Sequence, residues 1–364
     1  MTDPAPEFET ATLVSALSDA LGEAVTGTAV IHDGLNLSLA VSTEAADPAY
    51  VLRRPNEMRQ AESFNDITQE YAVMERLRES PVPVPDPVLY CEDESIIGDP
   101  FLVMEHVDGE VVPLGADLPE RFRNPQARAD VATLSIDALA DLHSLDAGEF
   151  ADVCERRPLR DQLDDVVAQL DEATSVTGRE SPVLWEVAEW LRSNVPTDSA
   201  TTVVHGDFRP GNVCFAGADR PEIVAVLDWE TAFLGDPLTE LGYLLLRWRD
   251  DGDPTPSLDE LEARYGDGAA IEELRVTNER GLAPYTNRPG SPSRRALVDR
   301  YEAATGIDFE HDRFYRAFAA FILATVWEDI HRHRVEAGEA SESGPHIDHM
   351  GLIARSIADG EFPL

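Results

Sequence analysis

Val203-Val204-His205-Gly206-Asp207-Phe208-Arg209-Pro210-Gly211-Asn212 is the stretch that decides the reading of this chain. An apolar strand, Thr202 to Val204, delivers a polar loop in which Asp207 precedes Asn212 by five positions. A second apolar strand, Ile223 to Leu227, then delivers Asp228. Such a pair of loops holds what phosphoryl transfer asks of a protein. One carboxylate orients the attacking hydroxyl and takes its proton, and two oxygen ligands hold magnesium across the phosphates. Magnesium favours few, hard oxygen ligands beside phosphate and water, which one Asn and one Asp satisfy. Taken singly, Asp207 and Asn212 would read as a hydrogen-bonded turn and Asp228 as a helix cap. Their order, each behind its own strand, favours chemistry.

Working outward, Phe8 to Leu21 carries apolar residues at helical spacing and ends at Gly22. Glu23 to Thr43 reads as two strands around the turn Asp33-Gly34, and Tyr50 to Arg53 as a third, stopped by Pro55. Asp66 to Arg78 is helical with Asp66 as cap, Ser80 to Pro87 is extended, and Val88 to Tyr90 and Phe101 to Val107 are strands. Beyond the turn Asp108-Gly109 the character changes. Gln126 to Leu145, Leu159 to Glu172, Val183 to Ser193 and Pro237 to Trp248 are helical, with only a polar loop expected between the two strands that carry the motif. Asp250 to Pro292, rich in Gly, Pro and Asp, is expected to be a long, partly ordered excursion, and three more helices follow near Ser293 to Thr305, His311 to Val335 and Ile347 to Ala358. A β-rich third before a helical two-thirds defines an α+β fold whose lobe boundary lies near Val107 to Gly109, giving lobes of 1–107 and 108–364.

The charge is unusual. Asp and Glu total 70 against 29 basic residues, for a formal net charge of −41, and every one of the 29 is Arg. At low salt so acidic a chain repels itself, whereas in molar salt the Debye length falls to about 3 Å. A salt-loving cytoplasm is therefore expected. No basic face for nucleic acid, no run of roughly 18 apolar residues for a membrane and no leader-like segment in Met1 to Thr10 is present. Cys91, Cys154 and Cys214 are odd in number and scattered, as suits reduced thiols. Nothing here indicates an oligomeric state.

At the HGD loop and the following strand-Asp the chain resembles the aminoglycoside phosphotransferase and choline kinase family, of protein-kinase-like two-lobed fold. Leu227-Asp228-Trp229-Glu230 through Leu234-Gly235-Asp236-Pro237-Leu238 to Leu241-Gly242-Tyr243-Leu244 is most similar to the branch fused to acyl-CoA dehydrogenases, and the likeness runs from about Glu23 to Gly338. The resemblance implies an ATP- and Mg2+-dependent transfer to a hydroxyl of a small molecule: a hydroxyacyl thioester, an amino alcohol or an aminoglycoside-like sugar. It implies Asp207 as base, Asn212 and Asp228 as metal ligands and His205 as a brace. It places Gly34, Asn36 and Ser38 in the loop over the phosphates, and the main chain of Glu105 and Val107 at the adenine. Glu230 and Asp236 would border the acceptor.

The departure lies on the third strand, where kinase-like folds use a lysine paired with a helix glutamate. Lysine is absent, and Arg53 with Glu70 takes the place; Val51 and Arg53 share one strand face and Leu52 the other. A guanidinium keeps its charge and grips phosphate through a bidentate fork. The rival reading is a catalytically inactive nucleotide-binding module, against which the intact Asp207, Asn212 and Asp228 argue. A protein kinase is disfavoured by the absence of H-R-D and A-P-E, and a P-loop enzyme or serine hydrolase by the absence of their signatures. His143 reads as a buried, hydrogen-bonded residue, and His331, His333, His346 and His349 as solvated helix surface.

Overall fold

The computed structural model describes residues 8–56 and 65–364; residues 1–7, part of the segment read as leaderless, lie outside the described residues. In chain order the first part holds α1 (Thr10–Leu21), β1 (Val25–Asp33), β2 (Asn36–Thr43), β3 (Tyr50–Pro55), α2 (Ile67–Leu77), β4 (Pro87–Cys91) and β5 (Phe101–Glu105). The second holds α3 (Pro125–His143), α4 (Leu159–Thr177), α5 (Pro182–Ser193), β6 (Thr202–Val204), β7 (Val213–Ala216), β8 (Glu222–Val226), β9 (Phe233–Gly235) and α6 (Pro237–Leu245). It closes with α7 (Asp259–Tyr265), α8 (Ala269–Arg280), α9 (Arg294–Thr305), α10 (Asp312–Glu336) and α11 (Gly344–Ala358). A small antiparallel sheet followed by a mostly helical region is the expected α+β, kinase-like arrangement.

The first five strands form one antiparallel sheet in the order β1-β2-β3-β5-β4. Strand alternation gives it two distinct faces. Leu37, Leu39, Val41, Leu52, Phe101 and Val103 make a core with Leu13 and Leu17 of α1. The other face carries Arg53, opposite Ser38, with Asn36 two residues before Ser38. Helix α2 begins as its sequence dictates: the Asp66 side chain accepts the Gln69 N–H at 2.7 Å, and Glu70 of the first turn is buried.

In the helical region one large apolar cluster runs from Leu139 and Leu142 of α3 to Phe314, Phe318 and Phe321 of α10, and it takes in Trp229. Two short ladders emerge from that core. Strand β6 pairs antiparallel with β9, Val204 opposite Phe233, and β7 pairs with β8, Val213 opposite Val226. Strands β7 and β9, of four and three residues, lie where no strand was expected. Asp250 to Pro292 is also corrected. It contains α7 and α8, whose Leu258, Leu261, Ile271 and Leu274 make a separate small core with Leu352. Tertiary burial overrides the Gly- and Asp-rich local signal there.

Gly242 sets how closely α6 approaches α10. A Cβ at this position would lie 2.8 Å from the Tyr315 carbonyl carbon and oxygen, which are main chain and cannot swing aside. On an unobstructed helix Gly→Ala stabilises by about 1 kcal/mol. Gly242→Ala is instead expected to destabilise by about 1–3 kcal/mol in urea unfolding, and a gain in stability would contradict this packing.

Candidate active site

The register of β6 on β9 and of β7 on β8 brings the two loops together. Asn212 at the foot of β7 accepts the Leu227 N–H at 2.8 Å through its main-chain carbonyl, so Asp228 emerges beside the catalytic loop. Gly206 has φ +87°, and a Cβ there would sit 2.5 Å from the Thr231 carbonyl, so the loop's sharp turn requires glycine. His205 is wholly buried. Its Nε2 donates to the Leu227 carbonyl at 2.7 Å while Nδ1 accepts the Asp207 N–H at 3.2 Å, which fixes the tautomer and ties the two loops to each other.

Asp207 is held by three donors. Tyr243 Oη donates to Oδ1 at 2.8 Å, and Asn212 Nδ2 and Arg209 Nε donate to Oδ2 at 2.8 and 2.9 Å. A carboxylate has about four acceptor directions, so one remains for an incoming hydroxyl. Asn212 Nδ2 is thus committed, while its Oδ1 is buried and meets no donor among the described residues. A buried acceptor left without a partner costs on the order of 1–3 kcal/mol. A cation would satisfy it, so the donor set fits a magnesium ion shared with Asp228.

Asp228 adopts a left-handed conformation, φ +65° and ψ +60°, which is rare for a residue with a side chain and occurs where surroundings enforce it. Its side chain is 42% exposed. Crowding by neighbouring atoms raises its pKa, but the Arg53 guanidinium, 2.7 Å from Oδ1, outweighs that and holds the carboxyl below the usual range. Arg53 itself is buried and bound on three sides. Its Nη1 lies 3.1 Å from Glu70 and 2.7 Å from Asp228, and its Nη2 lies 2.6 Å from Glu230. Burial disfavours the guanidinium charge, yet the three carboxylates more than offset this, and its pKa is raised.

The structure thus joins Arg53, Glu70, Asn36 and Asp228 in one network, and Asp207 with Asn212 in the adjoining one. Ser38 lies opposite Arg53 in the ladder. Gly34 sits in the β1–β2 turn, where its N–H donates to the Asn36 carbonyl at 3.2 Å. Glu105 ends β5 and its N–H donates to Asp86, and Val107 follows, partly exposed. Glu230 and Asp236, expected to border the acceptor, are both buried and engaged by neighbouring side chains or main chain. Glu230 is buried on the nucleotide-lobe side, where Oε2 accepts Asn36 Nδ2 at 2.7 Å as well as Arg53. Asp236 caps α6 by accepting the Leu238 N–H at 3.0 Å, and Oδ2 accepts the Tyr315 hydroxyl at 2.7 Å; it is buried scaffold. Among the histidines, His143 is buried as expected, but His349 is not solvated: it is buried against Asn278, and burial pushes its pKa down to about 4.

Sequence reasoning gave no role to Glu240. This buried carboxylate accepts the main-chain N–H groups of His205 at 3.0 Å, Gly206 at 2.7 Å and Phe208 at 3.2 Å, and lies 3.1 Å from His143 Nε2. It anchors the loop that bears Asp207. Burial raises its pKa, but the His143 bond and the loop amides prevail and lower it. The only sequence signal is an acidic residue in the first turn of a helix, which ordinarily complements the helix dipole. Tyr243 was likewise unassigned.

A two-lobed α+β fold with a strand-borne cation facing a carboxylate–carboxamide–carboxylate set defines a kinase-like phosphotransferase. The chain belongs to the phosphotransferase enzyme family, whose model matches residues 26–276. It is 27% identical over 306 residues to human acyl-CoA dehydrogenase family member 11, an alignment covering 80% of this chain and 34% of that protein. It therefore spans about a third of that relative's length. Among solved structures, a protein of Ralstonia eutropha described as an aminoglycoside phosphotransferase superposes with TM-score 0.72 at 23% identity, covering 97% of this chain and 99% of the other. Spectinomycin phosphotransferase, solved with ADP and spectinomycin, superposes with TM-score 0.59 at 9% identity over 98% of this chain and 99% of its own. These last two show the fold.

A depressed carboxyl pKa adds stability above the unfolded value, about 4.3 for Glu, that is lost as pH falls through the lower folded value. Glu240→Gln should therefore weaken the pH dependence of urea stability in the acid range while lowering stability at pH 7. Parallel profiles for the two proteins would show that the loop does not depend on this charge.

Proposed function

We propose that the chain is a magnesium-dependent kinase that moves the γ-phosphate of ATP onto a hydroxyl of a small molecule. The observation that carries this reading is Asp207, fixed by Tyr243, Asn212 and Arg209 with one acceptor direction left, beside the orphaned Oδ1 of Asn212 and the charged Asp228. Asp207 orients the acceptor hydroxyl and takes its proton as the oxygen attacks. Asn212 Oδ1 and the Asp228 carboxylate would hold magnesium, which when bound neutralises charge on the phosphates. Arg53, positioned by Glu70 and Glu230, grips the nucleotide phosphates in place of the usual lysine. The β1–β2 turn with Gly34 and the neighbouring Asn36 and Ser38 cover the phosphates. The Glu105 N–H is already spent on Asp86, so adenine is read by the Glu105 carbonyl and the Val107 amide.

For the acceptor, the recess beside the catalytic loop is lined by Arg209, Arg247 and apolar residues, with no carboxylate. That is unlike an acidic bowl for a polycationic sugar, and it disfavours an amino alcohol or an aminoglycoside. The setting we propose is a salt-rich cytoplasm, supported by the net charge of −41.

Two measurements test this. In molar KCl with Mg2+, slow ATP hydrolysis by the wild type should fall about 10^2- to 10^4-fold in Asp207→Asn while ATP binding persists. If both proteins bind ATP and neither turns it over, with or without an acceptor, the inactive-module reading replaces ours. Separately, the thermal midpoint should rise steeply between low-salt buffer and molar KCl; a flat dependence removes the halophilic setting.

A further inference from the structure

We infer that the acceptor pocket contains a built site for an anion, and that the molecule phosphorylated is a hydroxylated carboxylate or phosphoester. The inference deepens the phosphotransferase reading and rests on it. A narrow recess lies against the loop that bears Asp207, lined by Arg209, Pro210, Gly211, Arg247, Leu282 and Tyr285 among others. Arg209 is the residue bonded to Asp207. Arg247 is 3% exposed, and its guanidinium lies over the Tyr243 ring, 4.0 Å from the centroid, on the side chain whose hydroxyl holds the base.

Two polar groups in this recess lack what burial demands. Arg53, Arg247, Arg294 and Arg316 are the buried arginines among the described residues. Arg53 has Glu70, Asp228 and Glu230, Arg294 has Asp250 and Asp253, and Arg316 has Asp312. Arg247 alone pairs with no carboxylate among the described residues, and its Nη1 donates to the Tyr243 carbonyl at 2.7 Å. That is notable in a chain with 70 acidic residues. Tyr285 is 1% exposed, and its hydroxyl has no hydrogen-bond partner among the described residues. Burial raises its pKa, so the phenol stays a neutral donor. Asp117, the carboxylate whose charge bears on Tyr285, is engaged by the Leu118 N–H at 2.8 Å and by Arg123 at 3.8 Å.

A buried cation without a carboxylate partner is costly, and an orphaned hydroxyl adds to the cost. One anion between Arg247 and Tyr285 satisfies both. Planar guanidinium donors with a phenolic O–H suit the oxygens of a carboxylate or a phosphate. An ammonium group would instead meet Arg209 and Arg247 as like charges.

The test uses the full chain in molar KCl with saturating MgADP, titrated calorimetrically with 3-hydroxybutyrate as carboxylate probe, glycerol 3-phosphate as phosphate probe, and ethanolamine. One or both anions should bind and ethanolamine should not; which anion binds identifies the acid. Tyr285→Phe removes only an unpartnered hydroxyl, so a purely structural role predicts neutral or increased stability and unchanged binding. A ligand role predicts anion binding weaker by about tenfold. Arg247→Gln should weaken it by about 10- to 100-fold, with Arg247→Lys intermediate. In turnover assays the loss should fall on the acceptor KM before kcat. Failure of both anions to bind, stronger binding of ethanolamine, or anion binding unchanged in Tyr285→Phe and Arg247→Gln would each overturn the inference. The kinase reading survives such a failure if Mg-dependent ATP hydrolysis that requires Asp207 is still seen; absence of that turnover sinks the kinase reading instead.

Discussion

A guanidinium taken out of water must be surrounded by negative charge, and Arg53 is the point at which the two lobes of this protein meet that demand. Burying an unpaired ion costs several kcal/mol even after relaxation. Arg53 avoids that cost only because β3 aims it at Glu70 of α2 and at Asp228 and Glu230 from beyond β8. The sheet, the helix beside it and the segment that bears Asp228 and Glu230 are therefore positioned by one cation. Asn36 joins the same network through Glu230, so the turn over the phosphates is tied to the strand beneath it. Replacing lysine by arginine changes the logic of the site. A fork can hold three carboxylates at once, whereas a single ammonium presents a compact point charge.

A second buried charge organises the other half of the site. Glu240 takes three consecutive-region amides of the catalytic loop and the ring of His143, and His205 ties that loop to the strand end that bears Asp228. Asp207 inherits its position from these bonds, and its orientation from Tyr243 on the same helix as Glu240. The close approach of α6 to α10 at Gly242 lies between those two residues in sequence. One turn of α6 thus carries the close contact with α10 and both side chains that hold the Asp207 loop.

How much of this the sequence disclosed depends on whether a feature is local. The strand-then-loop order around Asp207, Asn212 and Asp228 is local, and so is the alternation that sends Leu52 to the core and Arg53 to the cleft. Both were readable, as was the Asp66 cap that starts α2. The roles of Glu240 and Tyr243 were not, since their partners lie more than thirty positions away and a glutamate in a first helical turn has a sufficient local explanation. Asp236 and Glu230 were placed beside the acceptor because they follow Asp228 closely. Chain proximity said nothing of the cap and the ion pair that bury them. His349 looked solvated among polar neighbours, yet the helix turns it onto Asn278 of α8, an element hidden in a stretch whose composition suggested a loose loop.

The proposed phosphoryl transfer requires the convergence of Asn212 Oδ1 and the Asp228 carboxylate on one divalent ion beside Asp207. Electron paramagnetic resonance of Mn2+ titrated into the protein with ADP measures that convergence directly. The account predicts nucleotide-dependent Mn2+ binding that is lost in Asn212→Ala and in Asp228→Asn and retained in Asp207→Asn. Equal Mn2+ binding in all four proteins would mean that these side chains do not share an ion, and the site as described here would be wrong.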